Sequence, residues 1–159
     1  MKIISTLSAA ALVAAAFFST AFAAEPAKIT AIRAQLYYEG TGKFSDDVLA
    51  SGENTLWNTI IGEGAAGAAS NFTLVTVEVT GKDVPMDAVR VQITARGFKR
   101  RIVGQRTIRV SIYDDATKFI APLFLHDTGC DEIEVSARLV GNGVDKTSVK
   151  KVIPFKCGE

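Results

Sequence analysis

Apolar side chains recur at every second position in seven short runs between residues 32 and 155, and this alternation governs what the chain can build. Ile32, Ala34, Leu36 and Tyr38 alternate with Arg33, Gln35 and Tyr37. Val75, Val77 and Val79 hold one phase of residues 73–79. Val89, Val91, Ile93 and Ala95 alternate with Arg90, Gln92, Thr94 and Arg96, and Ile108, Val110 and Ile112 with Arg109, Ser111 and Tyr113. Residues 119–125, 133–139 and 149–155 repeat the pattern. Successive side chains of an extended strand point to opposite faces, so each run reads as a strand with one buried face. No run sustains a helical period. Pro154 has no N–H to give to a ladder, which marks the last run as an edge strand or the site of a bulge.

Residues 81–87, Gly97, Gly104 with Gln105, Asp114 with Asp115, residues 127–129 and residues 141–146 separate the runs as turns. About seven strands at this spacing predict an all-β fold, an immunoglobulin-like antiparallel β-sandwich. Residues 39–71 form an unusually long connection. They contain Leu56 and Trp57, with Ile60 and Ile61 close by, then a Gly- and Ala-rich segment, residues 62–70. The Trp57 ring among apolar neighbours is expected to plug the core.

The N-terminus places the chain. Lys2 precedes an apolar stretch, residues 3–18, and Ala21-Phe22-Ala23 supplies the small-x-small site of a signal peptidase. Residues 1–23 are therefore read as a signal peptide and residues 24–159 as one mature domain, periplasmic or secreted. No later apolar stretch is long enough to cross a bilayer. Removing Lys2 from 18 basic residues leaves 17, equal to the 17 acidic ones, so overall charge predicts no polyanion partner. In an oxidising compartment the pair Cys130 and Cys157 reads as one disulfide. The turn at residues 141–146 lies midway between the two cysteines, so the bridge is expected to close the open end of a terminal hairpin. Simple pairing about that midpoint sets Val135 opposite Val152 and Ile133 opposite Pro154. It leaves Ile153 and Phe155 on the other face.

Catalytic and cofactor patterns fail on context. Residues 62–67 fit G-x-G-x-x-G, but a dinucleotide site needs a strand-to-helix turn within a βαβ unit, and the next strand starts too soon for the helix. His126 is the only histidine, which removes most zinc and copper sites, and no Gly-x-Ser-x-Gly elbow accompanies it. It is expected to be an ordinary residue at a strand end. Two surface features remain. Asp83, Asp87, Asp114, Asp115 and Asp145 fall on turns that topology gathers at one end, where they could hold calcium, although Asp is also a common turn former. From residue 88 to residue 113 there is no acid, while Arg90, Arg96, Lys99, Arg100, Arg101, Arg106 and Arg109 all fall there. Arg90, Arg96 and Arg109 share the polar phase of their strands and could form a face for an anionic glycan or a protein partner. Export and the lack of interleaved aromatics argue against nucleic acid. The expected function is that of a non-enzymatic binding or accessory module of the cell envelope with no required cofactor. The alternatives are a secreted hydrolase using clustered carboxylates and an envelope assembly subunit whose arm, residues 24–28, pairs with a neighbour.

Overall fold

The computed structural model describes residues 26–50, 56–57, 66–113 and 115–156, and of Trp57 the backbone alone. The strands are β1 Lys28–Tyr38, β2 Lys43–Phe44, β3 Leu56–Trp57, β4 Phe72–Thr80, β5 Val84–Arg96, β6 Ile102–Ile112, β7 Lys118–His126, β8 Ile133–Gly141, β9 Val149–Ile153 and β10 Phe155–Lys156. All seven alternating runs are thus strands. Phe98–Arg100 is a short 3₁₀ turn.

Two four-stranded antiparallel sheets pack face to face. One has the order β2-β1-β4-β7 and the other β6-β5-β8-β9. Alternation decides the inner face of each strand. Leu36, Val75, Val77, Val79 and Leu125 from the first sheet meet Val91, Ile93, Val110, Val135 and Ile153 from the second, all buried. Each such side chain contributes roughly 1.5–3 kcal/mol by leaving water. Within this apolar layer Thr73 and Thr128 are also buried, and their hydroxyls bond each other at 2.8 Å. Thr73→Val leaves the Thr128 hydroxyl without that partner and should cost about 1–2 kcal/mol. Adding Thr128→Val should recover most of the loss in a urea titration.

The terminal hairpin corrects the expected register by one residue. Ile133 pairs with Ile153 and Val135 with Lys151, rather than with Pro154 and Val152. The reason is burial. A one-residue slip reverses every side chain, and the observed register sends Ile153 into the core while leaving Val152 48 % exposed. Strand β9 lies at the sheet edge, and Pro154 separates it from β10. The chain then changes partner, because β10 runs parallel to β3 with Phe155 opposite Leu56, both buried. A second correction concerns Gly104 and Gln105, which continue β6 rather than break it. The turn falls earlier, where the Gly97 N–H bonds the Arg101 carbonyl at 2.9 Å. Gly104 is small for a packing reason: a Cβ there would run into the Leu125 side chain of the opposite sheet.

The exposed edge of β1 is covered by side chains acting as a strand. The Ala34 N–H donates to the Asp47 carboxylate at 3.0 Å and the Leu36 N–H to the Ser45 hydroxyl at 2.9 Å. Backbone bonds return from Ser45 N–H to the Leu36 carbonyl and from Val48 N–H to the Ala34 carbonyl. Near the N-terminus, Ala27 bridges Val144 of the β8–β9 turn, so this part of the expected arm is bonded within its own chain. The signal segment, residues 62–65, the side chain of Trp57, Asp114 and Cys157 lie outside the described residues.

Candidate functional site

Each sheet has an outer face, and the two faces differ in chemistry. On the second sheet the polar phases of β5, β6, β8 and β9 point outward. Arg90 lies directly opposite Arg109 across β5 and β6. On the other side of β5, Arg138 of β8 pairs with Gln92, and its Nε donates to the Gln92 Oε1 at 2.9 Å. Three guanidinium groups therefore occupy neighbouring positions on three adjacent strands. Arg109 has Asp87 at 3.5 Å, while Arg90 and Arg138 have no carboxylate within ion-pair distance among the described residues. Like charges directly opposite each other on a sheet are unfavourable, so the Arg90–Arg109 pair is a cost to the fold.

The other cations expected on this face are dispersed. Arg96 lies six residues along β5, roughly 20 Å from Arg90. Its Nη1 donates to the Arg100 carbonyl at 3.1 Å, and its cross-strand partner is Glu134. Glu134 also meets Lys150 at 3.4 Å and Arg100 at 4.0 Å, so a carboxylate sits among the cations at this end. Lys99, Arg100 and Arg101 belong to the β5–β6 turn, where Lys99 and Arg100 have positive φ and the Lys99 Nζ sits 5.1 Å over the Phe98 ring. This turn and residues 127–131 border a cleft of about 400 Å³. Arg106 points to the opposite side: it pairs with buried Ile93, and its Nη1 donates to the Pro122 carbonyl of the first sheet at 3.0 Å. It ties the two sheets together where β6 and β7 meet.

The turns of Asp83, Asp115 and Asp145 lie at one end, where the Gly81 N–H reaches the Thr117 carbonyl and the Asp145 N–H the Ala27 carbonyl. The expected turn at residues 81–87 is shorter, because β5 starts at Val84 and takes Asp87 into its irregular first part. Two of the side chains are engaged locally. Asp87 faces Arg109, and the Asp145 Oδ1 accepts the Thr147 N–H at 2.8 Å. Asp83 takes a positive φ in its turn. Among the described residues no three His, Cys, Asp or Glu side chains are grouped to hold a metal ion. Hydrogen bonds from the Thr147 side chain and backbone hold the Asp145 carboxyl below its ordinary value of 3.8. A carboxyl lowered in the folded state adds stability above its unfolded pKa and loses it as pH falls through the folded value. Asp145→Asn should therefore flatten the acid limb of the stability curve slightly, read from melts between about pH 3 and about pH 5.

The outer face of the first sheet carries a feature that residue-by-residue reading missed. Phe44, Tyr37, Phe72 and His126 follow one another across β2, β1, β4 and β7 as cross-strand partners. Phe124 joins them, stacked on Phe72 at 5.7 Å and 14° and edge-on to Tyr37 and His126 at 6.1 and 5.4 Å. Phe44 and Phe124 remain 46 % and 39 % exposed. His126, expected only to end a strand, does so with its ring edge-on to Phe72 at 5.1 Å. These rings occupy the phase that an alternating strand reserves for polar residues. That signal was present in Phe72, Leu74, Ile120 and Phe124, spread over two runs distant in sequence. Beside the rings lies a concavity of about 470 Å³ bordered by Arg33, Gln35, Asp46, Asp47, Thr76 and Glu78. On the other side of the strand, Tyr38 packs against the core, and its hydroxyl accepts the Gly67 N–H of the glycine-rich segment at 3.1 Å.

No protein-family model and no curated protein matches the chain. Among solved structures it is similar to a putative beta-galactosidase from Bacteroides fragilis, at 16 % identity and a TM-score of 0.41, over 52 % of this chain and 13 % of that one. It is also similar to an FMN-binding beta-glucuronidase from Facaelibacterium prausnitzii L2-6, at 16 % identity and a TM-score of 0.32, over 50 % of this chain and 13 % of that one. The chain thus spans about an eighth of the length of either neighbour.

Proposed function

We propose that the chain is an exported, non-enzymatic binding module of the cell envelope, which meets a protein partner through the aromatic face of its first sheet. The observation that carries this reading is the contiguous row of Phe44, Tyr37, Phe72, Phe124 and His126 on an outward-facing surface. These rings project away from the inter-sheet core. Contiguous exposed apolar surface on a soluble domain marks interaction sites, and aromatic residues are enriched where proteins meet.

The domain is read as immunoglobulin-like. The strand order supports this: β1, β4 and β7 share one sheet and β5, β6, β8 and β9 the other, with the chain crossing between sheets from β4 to β5, β6 to β7 and β7 to β8. A disulfide between Cys130 and Cys157 completes it. Among the described residues no cysteine is free, and the chain holds only two cysteines. They flank the final hairpin, one three residues before β8 and the other one residue after β10. Export rests on the leader, residues 1–23, and the A-x-A site.

A photo-crosslinking residue placed at Phe124 should give one discrete adduct with another protein in intact cells, while the same residue at Lys151 on the second sheet gives none. Equal labelling at both positions, or no adduct at Phe124, removes the reading.

A further inference from the structure

The arginine face of the second sheet is a separate site with a different occupant. We propose that the outer face of β6-β5-β8-β9 binds an acidic polysaccharide, anchored by Arg90, Arg109 and Arg138.

The anchor follows from charge. Arg90 and Arg109 stand in register on neighbouring strands, where paired Cβ atoms are about 4.5–5.5 Å apart. Arg138 adds a third guanidinium on the strand beyond, and Asp87 is the one carboxylate in ion-pair contact with the three among the described residues. The unfavourable pairing of like charges becomes favourable when an anion sits between them. The planar fork of each guanidinium matches the two oxygens of a carboxylate. The chain's balanced net charge makes this a local attraction rather than a property of the whole surface.

The rest of the face selects the kind of acid. Between Arg138 and Arg96 lies a shallow concavity of about 340 Å³ lined by Gln92, Thr94, Gln105, Ser136 and Ser148. Amides and hydroxyls of this kind exchange hydrogen bonds with sugar hydroxyls. The concavity lacks the apolar, aromatic centre that a protein interface uses. It also lacks the large apolar groups that enter a bilayer surface and the rings on which unpaired bases stack. The polar row extends roughly 20 Å from Arg90 to Arg96, enough for a short saccharide chain lying along β5. A hydrophilic acidic chain fits the anchor and the row together.

The test uses the mature chain on a biosensor with polygalacturonate as probe, and dextran, polyglutamate and anionic phospholipid vesicles as comparisons. Polygalacturonate should bind, weaken as salt rises, and bind more tightly than the other three. The double variant Arg90→Gln/Arg109→Gln should lose about tenfold in affinity, and Arg138→Gln a smaller factor of the same sign. Lys43→Gln removes one charge from the other sheet and should change nothing. Thermal melts check that each variant is folded, and removing the repelling pair should not lower the midpoint. Equal loss in Lys43→Gln, equal binding of polyglutamate, binding of vesicles alone, or no binding of polygalacturonate each overturns the proposal. None of these outcomes touches the aromatic face, whose crosslinking test stands apart.

Discussion

Gly141→Ala should destabilise the domain by about 3 kcal/mol, a large effect for the addition of one methyl group. Gly141 ends β8 with φ +144°, a conformation that side chains rarely adopt. A Cβ at this position would run into the Ala88 carbonyl oxygen and lie 3.1 Å from the Ala88 carbonyl carbon and the Val89 Cα. All three atoms are backbone of β5, so no side-chain rotation relieves the clash. The strand would have to separate from its neighbour. Gly143, two residues on, is the control. Its φ is also positive, at +64°, but a Cβ would meet nothing within 4 Å. Gly143→Ala should cost only about 1 kcal/mol, the conformational penalty alone. Equal costs at the two positions would show that close approach of β8 to β5 does not set the requirement for glycine.

Reduction of the proposed Cys130–Cys157 bridge should lower stability by about 3 kcal/mol, because the closed loop spans the whole final hairpin and restricts the unfolded chain. For a domain of this size that is a fall of about 10 °C in Tm. Cys157→Ser should reproduce the fall and abolish any further response to reductant. An oxidised chain with two titratable thiols and an unchanged melt would remove the bridge. The consequence reaches β9, an edge strand of five residues that carries Ile153 into the core. Without the bridge, exchange of its amides with solvent should rise before that of β5, which is paired on both sides.

The strands were legible because alternation is a local property. Val89 to Ala95 announces its buried phase without reference to any other part of the chain. Registers and pairings are not local. The terminal hairpin pairs one residue away from the midpoint of the two cysteines, because burial of Ile153 rather than the cysteine spacing fixes its register. Gly104 reads as a breaker in sequence, and only the Leu125 side chain opposite explains it as clearance. Arg106 sits in a basic stretch but takes the inward phase, a placement that only the register Ile93 to Arg106 reveals. Arg138 lies outside that stretch, yet pairing sets it opposite Gln92, diagonal to Arg90. The aromatic row was the hardest to see. Its members come from four strands, and each ring alone looks unremarkable until pairing lines them up.

The covering of β1 by Asp47 and Ser45 has a consequence for the molecule at high concentration. An uncovered strand edge offers a template on which another copy can add, and addition repeated at each new edge becomes a growing filament. Here a carboxylate and a hydroxyl occupy the Ala34 and Leu36 donors that an incoming strand would need. Across the same sheet, Pro122 of β7 offers no N–H, and its carbonyl is already taken by Arg106. Both edges of the sheet are therefore interrupted as templates: the short strand β2 and the Asp47 and Ser45 side chains cover part of β1, and Pro122 with its engaged carbonyl breaks the row of groups on β7. The aromatic face can stay exposed on such a sheet while its edges offer an incoming strand only a broken row of partners.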